Sequence, residues 1–241
     1  MEDFIVSTPA SLSIGLLLFP GLTQLDLTGP HEVFARAPGA KVHLIWKNRE
    51  PVTADSGLQL LPSTSFEECP WLDILCVPGG PGQIALMEDE ETLAFLRRKA
   101  QEVAWVTSVC TGSLILGAAG LLRGYRATTH WGSLDQLALL GAIPVAERVV
   151  RDRNRISGAG VTSGIDFALT VVAELYGVSA AQRIQLQLEY DPKPPFVSGS
   201  PDAAPPERVA DVRRSQAPLV ARRRAATEKA AAKLSDQPPD P

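Results

Sequence analysis

The chain has 241 residues, 45% hydrophobic and 21% charged, with a formal net charge of -4. That length supports one large domain, or a domain with an appendage, around a sizeable core. The mildly negative balance argues against nucleic-acid binding by bulk charge, and an odd count of three cysteines argues against a disulfide framework.

The N-terminus, M-E-D-F-I-V-S-T-P, lacks the basic n-region of a secretory leader, and no apolar run reaches the ~18 residues of a membrane span. The expected setting is a soluble protein of a reducing compartment, the cytoplasm. Residues 13–19 (SIGLLLF) read as a first buried strand, and residues 30–37 as a helix opened by Thr28, Gly29 and Pro30. Residues 42–46 (VHLIW) are a second strand and residues 73–77 (DILCV) a third, followed by a helix over 88–101. Residues 103–109 (VAWVTSV) give the next strand, and helices are predicted over 112–122, 133–140, 162–176 and 179–190. Apolar strands separated by helices indicate an α/β fold, a mostly parallel sheet covered on both faces.

In such sheets function gathers past the carboxyl ends of the strands, which here means residues 20–29, residues 78–82 and the junction at Cys110. Residues 191–206 (DPKPPFVSGSPDAAPP) read as a Pro-rich strap without regular structure. The segment that follows, 207–234, is rich in Arg, Ala and Lys and has good helix propensity. Its apolar positions, Val209, Val212, Leu219, Val220 and Leu234, are too sparse for a core helix. It is either a solvated terminal helix or an arm that packs on a partner subunit, and a long strap before it favours the arm. The tail SDQPPDP is expected to be disordered. The organisation is then a catalytic domain over 1–190, a strap over 191–206, and an arm with its tail over 207–241.

Ser108-Val109-Cys110-Thr111-Gly112 has the layout of a nucleophile elbow, small-x-nucleophile-x-small, with cysteine in place of serine. Small residues are needed because the turn is sharp and the helix passes close to the strand. Free amides and the positive dipole end at a helix start favour a thiolate, and can bring a thiol down toward ~3.5–7.5. The competing reading is a small buried hydrophobe. That reading suits Cys76, inside a strand, and Cys69, in a polar loop, far better.

The chain has three histidines, His31, His43 and His130, and none supplies a late His-x-Glu or a histidine beside Cys110. His43 alternates within a strand and reads as structural. Asp26 is the acidic candidate, at the end of the first strand. On local sequence alone, a carboxylate that satisfies loop or helix-start amides is narrowly the better reading. Its flanks, Leu25 and Leu27, point to burial, which raises a carboxyl pKa and lets the group carry a proton near neutrality.

Pro78-Gly79-Gly80-Pro81-Gly82 is not a Walker loop, since no G-K-[ST] follows. It is a tight turn, or a place where backbone amides form half of an oxyanion hole. Gly158-Ala159-Gly160 lacks dinucleotide spacing, and the scattered histidines fit no zinc pattern.

Four blocks in order resemble the ThiJ/PfpI superfamily: F19-P-G-L-T-Q-L-D-L-T-G-P-H-E-V-F34, C76-V-P-G-G-P-G82, T107-S-V-C-T-G-S-L-I-L-G-A-A-G-L-L-R-G124 and A127-T-T-H-W131. Within it, Asp26, the C-T-G variant and R183-I-Q-L-Q-L-E-Y190 are similar to the bacterial isonitrile hydratases. The resemblance implies a flavodoxin-like sandwich, a homodimer, no metal or organic cofactor, and hydration of isonitriles to N-substituted formamides. It also implies that Cys110 is the nucleophile, Asp26 its acid/base partner and Thr111 an adjacent residue needed for activity. Gly79, Gly80, Pro81 and His130 would line the substrate, with the amides near Gly80 and Thr111 forming an anion site. Pro81 stands where the family pattern leads one to expect threonine, and Ala159 where it leads one to expect glycine.

Two rivals share these residues. A glyoxalase or deglycase acting on 2-oxoaldehydes needs the same thiol. Many AraC-type regulators carry a similar domain as a ligand or redox sensor, but continue into a helix-turn-helix region for which this sequence offers only the strap and one helix.

Overall fold

A computed structural model describes residues 11–235. In chain order the elements are β1 (Leu12–Leu17), α1 (Gln24–Phe34), β2 (Ala40–Trp46), β3 (Val52–Thr53), β4 (Gln59–Leu60), β5 (Thr64–Ser65) and β6 (Ile74–Val77). Then come α2 (Gln83–Leu86), α3 (Glu90–Glu102), β7 (Trp105–Val109), α4 (Gly112–Ala118), β8 (Arg126–Ala127), a 3-10 turn (Trp131–Ser133) and α5 (Gln136–Leu139). The chain continues through β9 (Ile143–Pro144), β10 (Val149–Asp152), β11 (Arg155–Gly158), α6 (Ser163–Tyr176), α7 (Val178–Gln187) and α8 (Pro206–Ser235).

Seven strands form one sheet in the order β10-β11-β7-β6-β1-β2-β5, parallel except for the β10–β11 hairpin. Taken as β2-β1-β6-β7-β11, the central five follow the flavodoxin order, with the topological switch between β1 and β6. The strands predicted from apolar runs are the buried centre of this sheet: Ile14, Leu16, Leu17, Ile74, Leu75, Cys76 and Val77 are all fully buried. A strand covered on both faces has no polar side to show, hence the unbroken hydrophobic run.

Three differences from the sequence reading have clear causes. Helix α1 starts at Gln24, six residues before the expected residue 30, and carries Pro30 in its interior. An interior proline removes one helical hydrogen bond, at a cost of about 3 kcal/mol. Here its ring packs on Gly164 of α6, where an added Cβ would stand 3.1 Å from Pro30 Cδ. Strands β10 and β11 were missed because Arg151, Asp152, Arg153 and Arg155 interrupt any apolar pattern at the sheet edge. Thirdly, the C-terminal half of α8 lies on its own chain, against α2, α4, α5 and the 3-10 turn. Its docked face is Arg223, Ala226, Thr227, Ala230 and Leu234, at helical spacing, whereas Val209, Val212, Leu219 and Val220 are only partly buried. Apart from Leu234, small and polar residues make this contact, so counting large apolar ones could not find it. The N-terminal segment 1–10 and residues 236–241 of the tail lie outside the described residues.

Candidate active site

The loops that follow β1, β6, β7 and β11 open side by side, because those strands are neighbours and their ends stay in register: Leu16 pairs Cys76, Val77 pairs Ser108, and Val109 pairs Gly158. Sequence segments roughly 50 residues apart are thereby brought to one edge of the sheet.

Cys110 sits at the end of β7 with φ of 55°, a left-handed backbone that a non-glycine residue rarely adopts. Three bonds hold it there. Its N–H donates to the Gly158 carbonyl (3.0 Å), and its own carbonyl accepts from Thr129 Oγ1 (2.8 Å) and Ser113 Oγ (3.1 Å). The next turn can only be glycine: a Cβ on Gly112 would stand 2.0 Å from the Val77 carbonyl oxygen. The elbow read from Ser108 to Gly112 is therefore present in its physical sense, a kinked strand end clamped by its neighbours.

Asp26 lies in the first turn of α1 rather than ahead of the helix, and is fully buried. Its Oδ2 accepts the Gly79 amide at 3.0 Å, while Oδ1 has no well-formed hydrogen bond of its own. Burial pushes the carboxyl up to about 7, against the opposing pull of the Gly79 amide and the Cys110 thiol. The thiol is pushed well above its usual range, chiefly by burial and then by the Asp26 charge, with the Thr111 amide pulling the other way. The expectation that the helix start would lower this thiol fails, because α4 supplies one amide while the site withholds water. Carboxyl and thiol bear on each other directly: the thiol's hydrogen bond lowers the carboxyl, and the Asp26 charge raises the thiol.

The glycine loop does something other than form an open anion site. Gly79 N–H is taken by Asp26, and Gly80 N–H donates to Thr111 Oγ1 at 3.0 Å. A Cβ on Gly79 would stand 2.5 Å from Thr111 N and 2.9 Å from Asp26 Oδ2, so this residue must be bare for the two groups to meet. The loop is thus the brace that sets Asp26 and Thr111 beside the sulfur. Pro81 is exposed, two residues before α2. His130 opens the 3-10 turn, its Nδ1 accepting from Gly132 N–H at 3.2 Å. Burial and the nearby Arg223 charge hold it below its usual range, so it is neutral, with its proton on Nε2. It hydrogen-bonds neither Cys110 nor Asp26.

Cys76 is buried within β6, burial raising it to about 12, and Cys69 lies half-exposed in its loop. Sequence reasoning missed the surrounding supports, Thr129, Ser113, Gly158, Gln83, Ser133 and Arg223. Arg223 stands in a run of three arginines that looks like a solvated helix face, and nothing local marks the middle one.

A carboxyl group poised near neutrality against a cysteine at a strand end can take the thiol proton and return it to a substrate atom. Comparison with known proteins agrees with this layout. The DJ-1/PfpI family model matches residues 12–174. Isonitrile hydratase of Pseudomonas putida is 60% identical over 225 residues, covering 93% of this chain and 99% of that protein. The HTH-type transcriptional regulator GbdR of Pseudomonas aeruginosa is 31% identical over 189 residues, 74% of this chain but 51% of the regulator. Among solved structures, a ThiJ/PfpI family protein from Pseudomonas syringae superposes with a TM-score of 0.86 at 47% identity, over 96% of each chain. By motif, fold and site, the chain belongs to the DJ-1/PfpI family.

Proposed function

We propose that this protein hydrates isonitriles to N-substituted formamides, with Cys110 as nucleophile and Asp26 as general acid and base. The observation that carries this reading is the buried pair itself, a carboxyl raised to about 7 beside a thiol at the strained end of β7. The near full-length similarity to isonitrile hydratase of P. putida supports the choice of substrate class.

The chemistry follows from the substrate. The terminal carbon of R-N≡C is divalent and soft, a good match for sulfur. Asp26 takes the proton from Cys110 Sγ, the thiolate forms a C–S bond to that carbon, and Asp26 returns the proton to the same carbon. The product is a thioimidate, Cys110-S-CH=N-R. Asp26, again a carboxylate, takes a proton from water as the hydroxyl adds to the carbon, and passes it to nitrogen. Collapse breaks the C–S bond, releases R-NH-CHO, and the sulfur recovers a proton from the former hydroxyl. One water is consumed and no electrons leave the system.

In this scheme Thr111 has two tasks: its hydroxyl accepts from Gly80, and its amide faces the sulfur. Gly79 and Gly80 bear on the substrate mainly through the groups they brace, Pro81 forms the rim, and neutral His130 offers a donor at the far wall. We also propose a homodimer working in the cytoplasm. Support for a partner comes from large apolar side chains left exposed on α7 and the strap, Val178, Leu186, Phe196 and Val197. Light scattering at micromolar concentration checks the dimer. For the compartment, support is that all three cysteines are unpaired; fractionation of expressing cells tests it. We further propose a catalytic domain over 1–190, a strap over 191–206 and an arm over 207–241; support for the arm's part in the site is the pair of bonds from Arg223 to Gln83 and Ser133.

The deciding assay mixes the protein with cyclohexyl isocyanide and, separately, methylglyoxal. Cyclohexylformamide formation with a covalent adduct on Cys110 is expected. Turnover of the aldehyde alone overturns the reading in favour of glyoxalase chemistry, and turnover of neither leaves a sensor.

A further inference from the structure

Among the described residues, Arg223 is the one buried arginine. It projects from α8 and is 6% exposed, yet no carboxylate among the described residues lies within ion-pair distance of it. Its neighbours on the same helix are paired outward: Arg224 with Asp135 (2.7 Å) and Glu228 (3.2 Å), and Lys229 with Glu88 (3.4 Å). Arg223 instead donates from Nε to Gln83 Oε1 and from Nη1 to Ser133 Oγ, each at 2.9 Å. Both acceptors are neutral and fully buried. Gln83 directly follows the Pro78–Gly82 loop, and its amide is oriented by a bond from Nε2 to Met87 Sδ (3.0 Å). Ser133 closes the 3-10 turn that His130 opens. The guanidinium is therefore fixed between two walls of the site, by bonds that position it without neutralising it.

A buried charge without a counterion is unfavourable unless something in its surroundings becomes negative. The groups facing it are few. From the start of α4 comes Cys110, and from the head of the 3-10 turn comes neutral His130; Arg224, Glu228 and Lys229 on α8, Asp135 just before α5 and Glu88 just after α2 are the outward pairs already named.

We infer that Arg223 is the standing counter-cation of the Cys110 sulfur, a positioning residue whose charge favours the thiolate whenever Asp26 takes the proton. Arg223 acts on the sulfur in the required direction, lowering a thiol that burial and Asp26 raise, and the sulfur acts back on Arg223. Burial first, and then the same charge, hold His130 below its usual range, which disfavours the imidazolium that could protonate the anion. The docked half of α8 thereby has a reason to exist beyond stability: it delivers a cation that no strand-end loop supplies. The inference rests on the proposed cysteine chemistry but does not need the isonitrile.

The test uses the full chain and reads the thiolate without substrate. Iodoacetamide labelling of the Cys110 peptide, followed by mass spectrometry across pH, gives an apparent thiol pKa. Arg223→Gln is expected to move that profile up by about one unit, roughly tenfold slower labelling at fixed pH, and Arg223→Lys to restore most of it. In turnover, kcat should fall about 10- to 100-fold with KM within about twofold, since the charge matters most when the sulfur is anionic. A folded Arg223→Gln protein with an unchanged labelling profile overturns the inference. Should that variant fail to fold, Ser133→Ala keeps the charge and frees one of its two holds; a two- to threefold slowing supports the inference, and an unaltered profile overturns it. A shifted profile in a protein that makes no formamide would leave Arg223 its role and remove the hydratase reading; formamide with no shift would do the reverse.

Discussion

Cys76 and Cys110 lie on adjacent parallel strands, both deeply buried and both pushed up by loss of water. One sits in the middle of β6, in extended backbone, bonded only to Thr107. The other sits one residue past the end of β7, in left-handed backbone, with a protonatable carboxyl, a helix amide and a guanidinium arrayed around it. Burial alone makes a thiol inert. What separates the two in the proposed mechanism is a base, Asp26, to take the proton and a cation, Arg223, to steady the charge that results.

The comparison can be broken most sharply at the sulfur. Cys110→Ala should lower formamide production about ten-thousandfold or more while leaving the circular dichroism spectrum unchanged; retention of the wild-type rate would end the mechanism. Asp26→Asn should lower kcat/KM by about 10²- to 10⁴-fold, as expected for loss of a general acid–base. The same substitution should raise stability at alkaline pH. A carboxyl whose folded pKa lies above its unfolded value stabilises below about 3.8 and loses that stabilisation as pH rises through about 7. Over that span the loss is on the order of 4 kcal/mol, so urea midpoints of wild type should fall between pH 4 and 8 and those of Asp26→Asn should not.

Smaller effects sharpen the contrast. In wild type, kcat/KM should drop tenfold per unit below about pH 7, where Asp26 holds a proton and cannot accept another, and stay level to pH 9 because the thiol titrates higher still. Cys76→Ala should lower stability by about 1–2 kcal/mol, measured by thermal melting, with turnover intact. Smallest is the strain at the elbow: Cys110→Gly should unfold about 1 kcal/mol harder than Cys110→Ala, since glycine alone is at ease with φ of 55°.

Much of the central architecture was readable from the chain. Runs such as DILCV can be buried on both faces in only one kind of sheet, and the elbow spacing from Ser108 to Gly112 follows from a steric demand local to five residues. Asp26 was readable as a candidate but not as the partner, because its alternative, satisfying helix-start amides, looks identical in sequence. Its first-turn position on α1, the Gly79 amide at 3.0 Å and the loss of water are what single it out as the proposed partner.

Local chemistry, written into short segments, was thus determined by sequence alone: buried strands, a sharp turn that needs glycine, a cysteine at the junction. Everything that depends on distance through space had to wait for the fold. The direction of the thiol shift depends on how completely four loops shut out water, and the importance of Arg223 on which of three consecutive arginines α8 turns inward. Charge and desolvation act across gaps of a hundred residues, and only packing sets those gaps.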